Sequence, residues 1–343
     1  MKIGKILIRV VTENVIGGAK RYFERASKRC FSADNSRFDR VRLHWHLAHP
    51  FFLPWSTNSA VSSCTKMAAK VAVVTGSNKG IGFAIVRGLA KAFQGDVILT
   101  ARNEERGLKA VEDLKLEGFE VKFHQLDIDN EASIKTLAEF LKATYGGLDV
   151  LVNNAGIAYN RDATDPVHVQ AKVTIATNYF SVKRTCEILF PLLRPGSRVV
   201  NMSSNCGLLI KVPKQELKDR FSNENLTVAE LDQLMNEFIE ATEKGNHTEL
   251  GWPASTYVVS KVGLSALTRI QHREMKLEDV AINHVHPGYV GTDMSNYKGP
   301  LTPDEGAASS LFAALLPPGT DVKGQYIWKD CTIHDWVTTS EPS

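Results

Sequence analysis

The chain has 343 residues, 43% hydrophobic and 23% charged, with a formal net charge of +3. That composition suits a globular protein with one large core or two modest ones, and no apolar run approaches the ~20 residues that a bilayer-spanning helix needs. Residues 1–66 carry 12 Lys and Arg against 4 Asp and Glu, whereas the remainder carries 29 against 34; a mildly acidic body excludes a nucleic-acid platform.

The five cysteines, Cys30, Cys64, Cys186, Cys206 and Cys331, are odd in number and widely spaced, with no C-x-x-C pair. A disulfide framework or a zinc site is therefore not expected, and a reducing compartment fits best. Residues 1–66 show no sustained hydrophobic period. A positively charged, Ser-bearing, acid-poor N-terminus reads as a transit peptide, and Arg29-Cys30-Phe31-Ser32 is similar to a mitochondrial processing site. Two other readings stand beside it: translation starting at Met67, or a partner-binding arm. The fold is assigned to residues 67–343, in the cytoplasm unless residues 1–66 direct import into mitochondria.

From Val71 the pattern is regular. VAVVT (71–75) is a short apolar, β-branched run, as in a strand buried on both faces. Ile81 to Phe93 reads as a helix, DVILTAR (96–102) as a strand, and 104–117 as a helix ending at Gly118. FEVKFHQLD (119–127) is a third strand, followed by a helix to Tyr145 and a fourth strand, LDVLVNN (148–154). A helix near 166–193 stops at Arg194-Pro195-Gly196, and SRVVNMSS (197–204) is the fifth strand. AINHVHP (281–287) and QYIW (325–328) supply two more. Strands alternating with helices imply right-handed βαβ units and a doubly wound parallel α/β sheet, the Rossmann fold, in a single domain.

Between Ser204 and Tyr257 lie 52 residues, and 205–250 is read as a helical insertion. Thr227 and Glu230 form a capping box. Leu231, Leu234, Met235, Phe238 and Ile239 then fall on one helical stripe, and Lys244-Gly245 makes the end. So regular a stripe needs cover, and packing it on neighbouring helices of its own chain would satisfy it without a partner, so a monomer is expected. The other reading is a lid over the substrate pocket.

The chemistry-bearing residues fall at strand ends, where open α/β sheets bind ligands. TGSNKGIG (75–82) joins the first strand to the first helix. Gly76 permits a tight turn, Gly80 and Gly82 allow close backbone approach, and a helix N-terminus offers N–H groups to a pyrophosphate. Plain turn glycines would also satisfy this string. Arg102 ends the second strand where an NAD enzyme usually carries an acid; an arginine there suits a 2′-phosphate, with Lys79 as a second cation. The alternative is an exposed helix-start arginine. Asp127 closes the third strand and suits either an adenine contact or a turn.

Tyr257 and Lys261 are spaced i, i+4 in YVVSK and share a helix face. An unperturbed phenol has a pKa of about 10, and a nearby ammonium stabilises phenolate. Ser204 is placed to hydrogen-bond a substrate carbonyl and Asn178 to hold a water. His284 and His286, i, i+2 on a strand with no third ligand in view, read as ordinary side chains rather than a metal site.

TGSNKGIG, NNAG (153–156), the Ser203-Ser204 strand end, YVVSK and PGYVGTD (287–293) occur in order and resemble the short-chain dehydrogenase/reductase family over about residues 68–336. Within it, SNKGIG, LTAR, FHQLDID and YGGLDVLVNNAGIA are most similar to the monomeric NADPH-dependent carbonyl reductases. The resemblance implies NADPH as cofactor and a small-molecule carbonyl substrate: an aldehyde, ketone or quinone. It implies Tyr257 as general acid, Lys261 lowering its pKa and binding the nicotinamide ribose, Ser204 rather than Ser203 orienting the carbonyl, and Asn178 completing a proton relay. Asn78, Ile81, Ile128, Asn154, Val290 and Thr292 are expected along the cofactor, and Tyr289 at the substrate. Two departures matter. His284-Val285-His286 replaces a cysteine pair of vertebrate members, which puts glutathione-conjugate binding in doubt, and Tyr289-Val290-Gly291 replaces Trp-Val-Arg. Alternatives are a dedicated steroid, prostaglandin or retinoid reductase, and a catalytically idle NADPH-binding regulator.

Overall fold

Val71–Val74 are all apolar and all fully buried, which requires a strand covered on both faces. The computed structural model describes residues 69–160 and 162–340; the basic leader and both candidate starts lie outside them. Strand β1 (Val71–Val74) is followed by helix α1 (Gly80–Ala92), β2 (Asp96–Ala101), α2 (Glu104–Leu116), β3 (Lys122–Gln125), α3 (Glu131–Tyr145) and β4 (Leu148–Asn153). Then come α4 (Val167–Ile175), α5 (Val182–Leu189), β5 (Leu193–Met202), α6 (Gln215–Ser222), α7 (Val228–Glu243) and α8 (Thr256–Glu274). β6 (Ala281–Val285), α9 (Pro303–Ala314), β7 (Tyr326–Ile327) and β8 (Ile333–His334) complete the chain.

The sheet runs β3-β2-β1-β4-β5-β6-β7-β8, parallel throughout except for the antiparallel β7–β8 pair. Because side chains alternate along a strand, Ala72, Val74, Leu99 and Val152 pack against α1, α2 and α9, while Val71, Val73, Ile98 and Leu151 pack against α3, α4, α5 and α8. Two helical layers thus enclose one doubly wound sheet, as expected. Among the described residues no helix is long and apolar enough to cross a membrane.

Three boundaries differ from the sequence reading. The expected strand 119–127 shortens to β3, an exposed edge strand, and short edges limit unwanted pairing. The helix expected over 166–193 is interrupted by a π-helical turn, Ala176–Ser181, and ends in a 3₁₀ turn, Phe190–Leu192, that contains Pro191. The expected stop at 194–196 lies inside β5: the ladder shifts register opposite Leu148/Val150, and Gly196 adopts a φ of 83° that only glycine takes freely.

Residues 205–250 hold the helices α6 and α7. Thr227 and Glu230 cap α7 reciprocally. Leu231, Leu234, Met235 and Phe238 are buried, and Ile239 is partly so. Helix α7 lies across α4 and α8. Asp232 fixes it there, accepting from Tyr179 Oη at 2.9 Å and pairing with Lys183 Nζ at 2.5 Å.

Candidate active site

The C-terminal ends of β1, β4, β5 and β6 open on one side of the sheet, and the candidate residues gather there. At β1 the glycine-rich turn is bolted down from two directions. Ser77 is buried; its hydroxyl donates to Val74 O (2.8 Å) and accepts from Thr100 N (3.0 Å). Asn154 Nδ2 donates to the carbonyls of Thr75 and Gly76, both at 3.0 Å. A Cβ on Gly82 would stand 2.5 Å from that same Asn154 nitrogen, so a side chain there would break the clamp. Helix α1 starts with no side-chain cap on its Lys79 N-cap. Its first-turn N–H groups are the orphan donors that bind phosphate.

The surroundings are polar. Asn78 shares a 360 Å³ cavity with Arg106 and Lys109. Arg102 is exposed at the end of β2, and its carbonyl accepts from Gln125 Nε2 at 3.1 Å. Lys79, expected as a second cation beside Arg102, pairs with Asp293, which also accepts from the Tyr297 hydroxyl. Asp127 Oδ1 accepts from Asp129 N at 3.1 Å, which gives it the turn role weighed from sequence, and Ile128 is buried beside it. Thr292 lies across from Gly80, 3.4 Å from where a Cβ would stand, and Ile81 packs on the core. Val290 is buried and bridges Leu301, while the Tyr289 ring is 55% exposed.

Beyond β5, Ser204 opens the 3₁₀ turn Asn205–Gly207; its Oγ accepts from Cys206 N at 3.2 Å. Ser203 points inward to Ser265 Oγ at 2.7 Å, which leaves Ser204 as the serine that hydrogen-bonds Tyr257. Burial raises the Tyr257 phenol above its ordinary value, a negative charge on Cys206 would raise it further, and the Ser204 hydrogen bond opposes both. Lys261, only 4% exposed, donates from Nζ to Met202 O at 2.7 Å and stands 5.6 Å from the Tyr257 ring centroid. Burial lowers it to about 8. Burial is the largest influence on the Tyr257 phenol, and the Lys261 ammonium spends its hydrogen bond on Met202 O.

Asn178 is fully buried on the π-helical turn, a feature frequent at functional sites. Its Oδ1 accepts from Ile157 N at 2.8 Å, and its Nδ2 donates to Ile157 O at 2.8 Å and to Ser260 Oγ at 3.0 Å. The space over Gly156 opens to both Asn178 and Lys261: a Cβ there would lie 3.1 Å from Asn178 Oδ1 and 3.7 Å from Lys261 Nζ. Asp129 holds the turn through Ser181 Oγ (2.7 Å) and Thr177 Oγ1 (3.1 Å).

Sequence reasoning missed the residues that pin the Ser204 turn. His286 Nδ1 accepts from Asn205 N at 3.0 Å, Tyr326 Oη donates to Ser204 O at 2.8 Å, and Trp336 Nε1 donates to Gly207 O at 2.6 Å. Pairing across more than 80 residues leaves no local signal. Cys206, close to Tyr257 and Lys261, carries no local signal either.

A family model described as short chain dehydrogenase matches residues 70–215. The chain belongs to the short chain dehydrogenase family. It is 48% identical over 272 residues to mouse carbonyl reductase (NADPH) 1, covering 78% of this chain and 98% of that relative. Among solved structures it is similar to salutaridine reductase from Papaver somniferum (32% identity, TM-score 0.69, 75% and 99% of the two chains). It is also similar to menthone neomenthol reductase from Mentha piperita (34% identity, TM-score 0.66, 76% and 99%).

Proposed function

We propose that the chain reduces aldehydes, ketones or quinones to alcohols with NADPH, with Tyr257 as the proton donor. The convergence of the Ser204 and Tyr257 hydroxyls at the end of β5, with Lys261 buried behind them, carries the reading. The likeness to the NADPH-named carbonyl reductase supports it. The uncapped start of α1, the clamped glycine-rich turn and Asn78 fit a dinucleotide phosphate, and Arg102 and Arg106 are the cations for a 2′-phosphate.

Bound NADPH supplies the hydride. The protein has to orient the carbonyl and deliver a proton to its oxygen. Ser204 Oγ orients the oxygen by hydrogen bonding, and Tyr257 donates to it. A phenol raised by burial stays protonated at neutral pH, which is the state a donor needs. The resulting tyrosinate is re-protonated through Lys261, whose lowered value of about 8 lets it give up and regain a proton near neutrality. Asn178 and the Ile157 peptide border the space where a relay water would sit. Tyr289 flanks the substrate, and Ile81, Ile128, Asn154, Val290 and Thr292 line the cofactor. The packing of α7 across α4 and α8 supports a reductase unit that acts as a monomer, working in the cytoplasm unless residues 1–66 direct import.

NADPH oxidation by the purified protein, followed by absorbance with menadione, an aromatic aldehyde and a ketone in turn, tests the reading. Turnover with any of them, dependent on NADPH rather than NADH, is expected. NADPH binding without turnover on any carbonyl would favour an idle cofactor-binding regulator, and turnover confined to steroid, prostaglandin or retinoid substrates would favour a dedicated reductase.

A further inference from the structure

The turn that presents the Ser204 hydroxyl is held at both ends by residues from the far side of the sheet. Tyr326 Oη donates to Ser204 O and Trp336 Nε1 donates to Gly207 O. These bonds fix where the turn starts and stops. The peptide inside it is held by His286, whose Nδ1 accepts from Asn205 N at 3.0 Å.

Asn205 matters because its side chain turns back onto the serine. Ser204 Oγ donates to Asn205 Oδ1 at 3.2 Å and accepts from Cys206 N at 3.2 Å. Asn205 therefore sets the direction of that hydroxyl twice, through its own amide oxygen and through the peptide that joins it to Cys206. A rotation of the Ser204–Asn205 peptide would displace both partners of the hydroxyl together.

His286 is itself firmly placed. It follows β6, is 5% exposed, and its ring centroid lies 4.3 Å from that of Trp328. Its backbone N donates to Ile327 O at 2.8 Å, and its carbonyl accepts from Ser309 Oγ at 3.2 Å. Nδ1 also faces Gly288 N at 3.4 Å. A ring nitrogen that accepts from N–H groups carries no proton, so the neutral ring holds its proton on Nε2. An aliphatic side chain at this position would take that acceptor from the Asn205 N–H, and a partly buried donor left unmet costs free energy.

We propose that His286 is a positioning residue for the reduction: through Asn205 it fixes the direction of the Ser204 hydroxyl that orients the substrate carbonyl. Tyr326 and Trp336 still hold the turn at its ends, so loss of the His286 acceptor loosens the hydroxyl without dissolving the turn. A misdirected donor weakens transition-state stabilisation and leaves cofactor binding alone. The effect on turnover rests on the role given to Ser204 above; the ordering of the turn does not.

His286→Leu and His286→Asn, each alone and combined with Ser204→Ala, test this with menadione under saturating NADPH. Leucine removes the acceptor, whereas asparagine puts an amide oxygen where Nδ1 stands; both lose the ring contact with Trp328. In His286→Leu, kcat/KM for menadione falls about tenfold, the worth of one hydrogen bond to a buried group, and His286→Asn restores most of it. NADPH affinity by calorimetry stays within about twofold in both variants. In the Ser204→Ala background His286→Leu brings no further loss, because the hydroxyl it would misdirect is gone. Hydrogen exchange, read by mass spectrometry over the segment carrying Asn205 and Cys206, is faster in His286→Leu and close to normal in His286→Asn. Equal losses of turnover in the two His286 variants, or an undiminished loss in the Ser204→Ala background, would make His286 structural only and overturn the proposal. Unchanged exchange in His286→Leu would overturn the ordering of the turn. Failure of the unaltered protein to reduce any carbonyl would count against the proposed function instead, and the exchange comparison would still decide whether His286 orders the turn.

Discussion

His284 should make the protein lose stability as the pH falls, by an amount the fold sets. It lies on β6 between Asn201 of β5 and Tyr326 of β7, is fully buried, and has no hydrogen-bond partner on either ring nitrogen. Its neighbours are the rings of Tyr326 at 4.9 Å and Trp336 at 6.3 Å. Burial, with the Arg269 charge adding to it, pulls its pKa from 6.5 down to about 3. The folded protein therefore keeps this ring neutral at pH values where the unfolded chain protonates it. Unfolding takes up a proton below pH 6.5, so the stability contributed by the neutral ring is present above that pH and lost as the pH falls toward 3. At about 1.4 kcal/mol per pH unit, the loss between about pH 7.5 and pH 5 comes to roughly 2 kcal/mol. Urea unfolding of the unaltered chain and of His284→Phe at those two pH values isolates it, since the carboxylates titrate in both. The unaltered chain should lose about 2 kcal/mol more than the variant. Parallel losses would show that the ring is not held neutral, and the account of β6 would fail.

Arg102→Ala should weaken NADPH binding by about tenfold and leave NADH nearly unchanged, because only NADPH carries the 2′-phosphate; equal losses would make Arg102 structural. Phe238→Ala removes a fully buried ring packed 5.5 Å from Trp252 and should cost about 3–5 kcal/mol in denaturant unfolding; a loss below about 1 kcal/mol would mean that α7 is not part of the core. Sedimentation equilibrium should give one mass near 37.9 kDa for the full chain, and twice that mass at micromolar concentration would show the α4–α8 face open to a partner. A chain beginning at Met67 should keep the melting temperature and turnover of the full chain; loss of either would give residues 1–66 a part in the fold.

The parts of this fold legible in advance are those whose signals are local. The alternation of β-branched runs and amphipathic stretches marks the sheet. Thr227 and Glu230 announce α7 because a capping box is a four-residue code, and Tyr257 and Lys261 share a face because helical spacing puts them there. What escaped is non-local or irregular. No spacing rule places a π-helical turn at Ala176–Ser181, since the gain comes from seating Asn178 against Ile157. His286 read as an ordinary strand residue, yet its ring orders Asn205 beside Ser204. The Lys79–Asp293 pair is equally hidden, since only the tertiary fold brings Asp293, 214 residues away, against Lys79. The sign of the Tyr257 shift depends on how completely the phenol is desolvated, which no motif encodes.

The most direct test is a comparison of Tyr257→Phe with the unaltered protein in NADPH-dependent menadione reduction, alongside NADPH affinity measured by titration. The ring is kept and only the transferable proton is removed, so NADPH affinity should stay within about threefold while turnover falls by roughly 10²–10⁴-fold. Near-normal turnover in Tyr257→Phe would remove the phenol from the reaction and contradict the account.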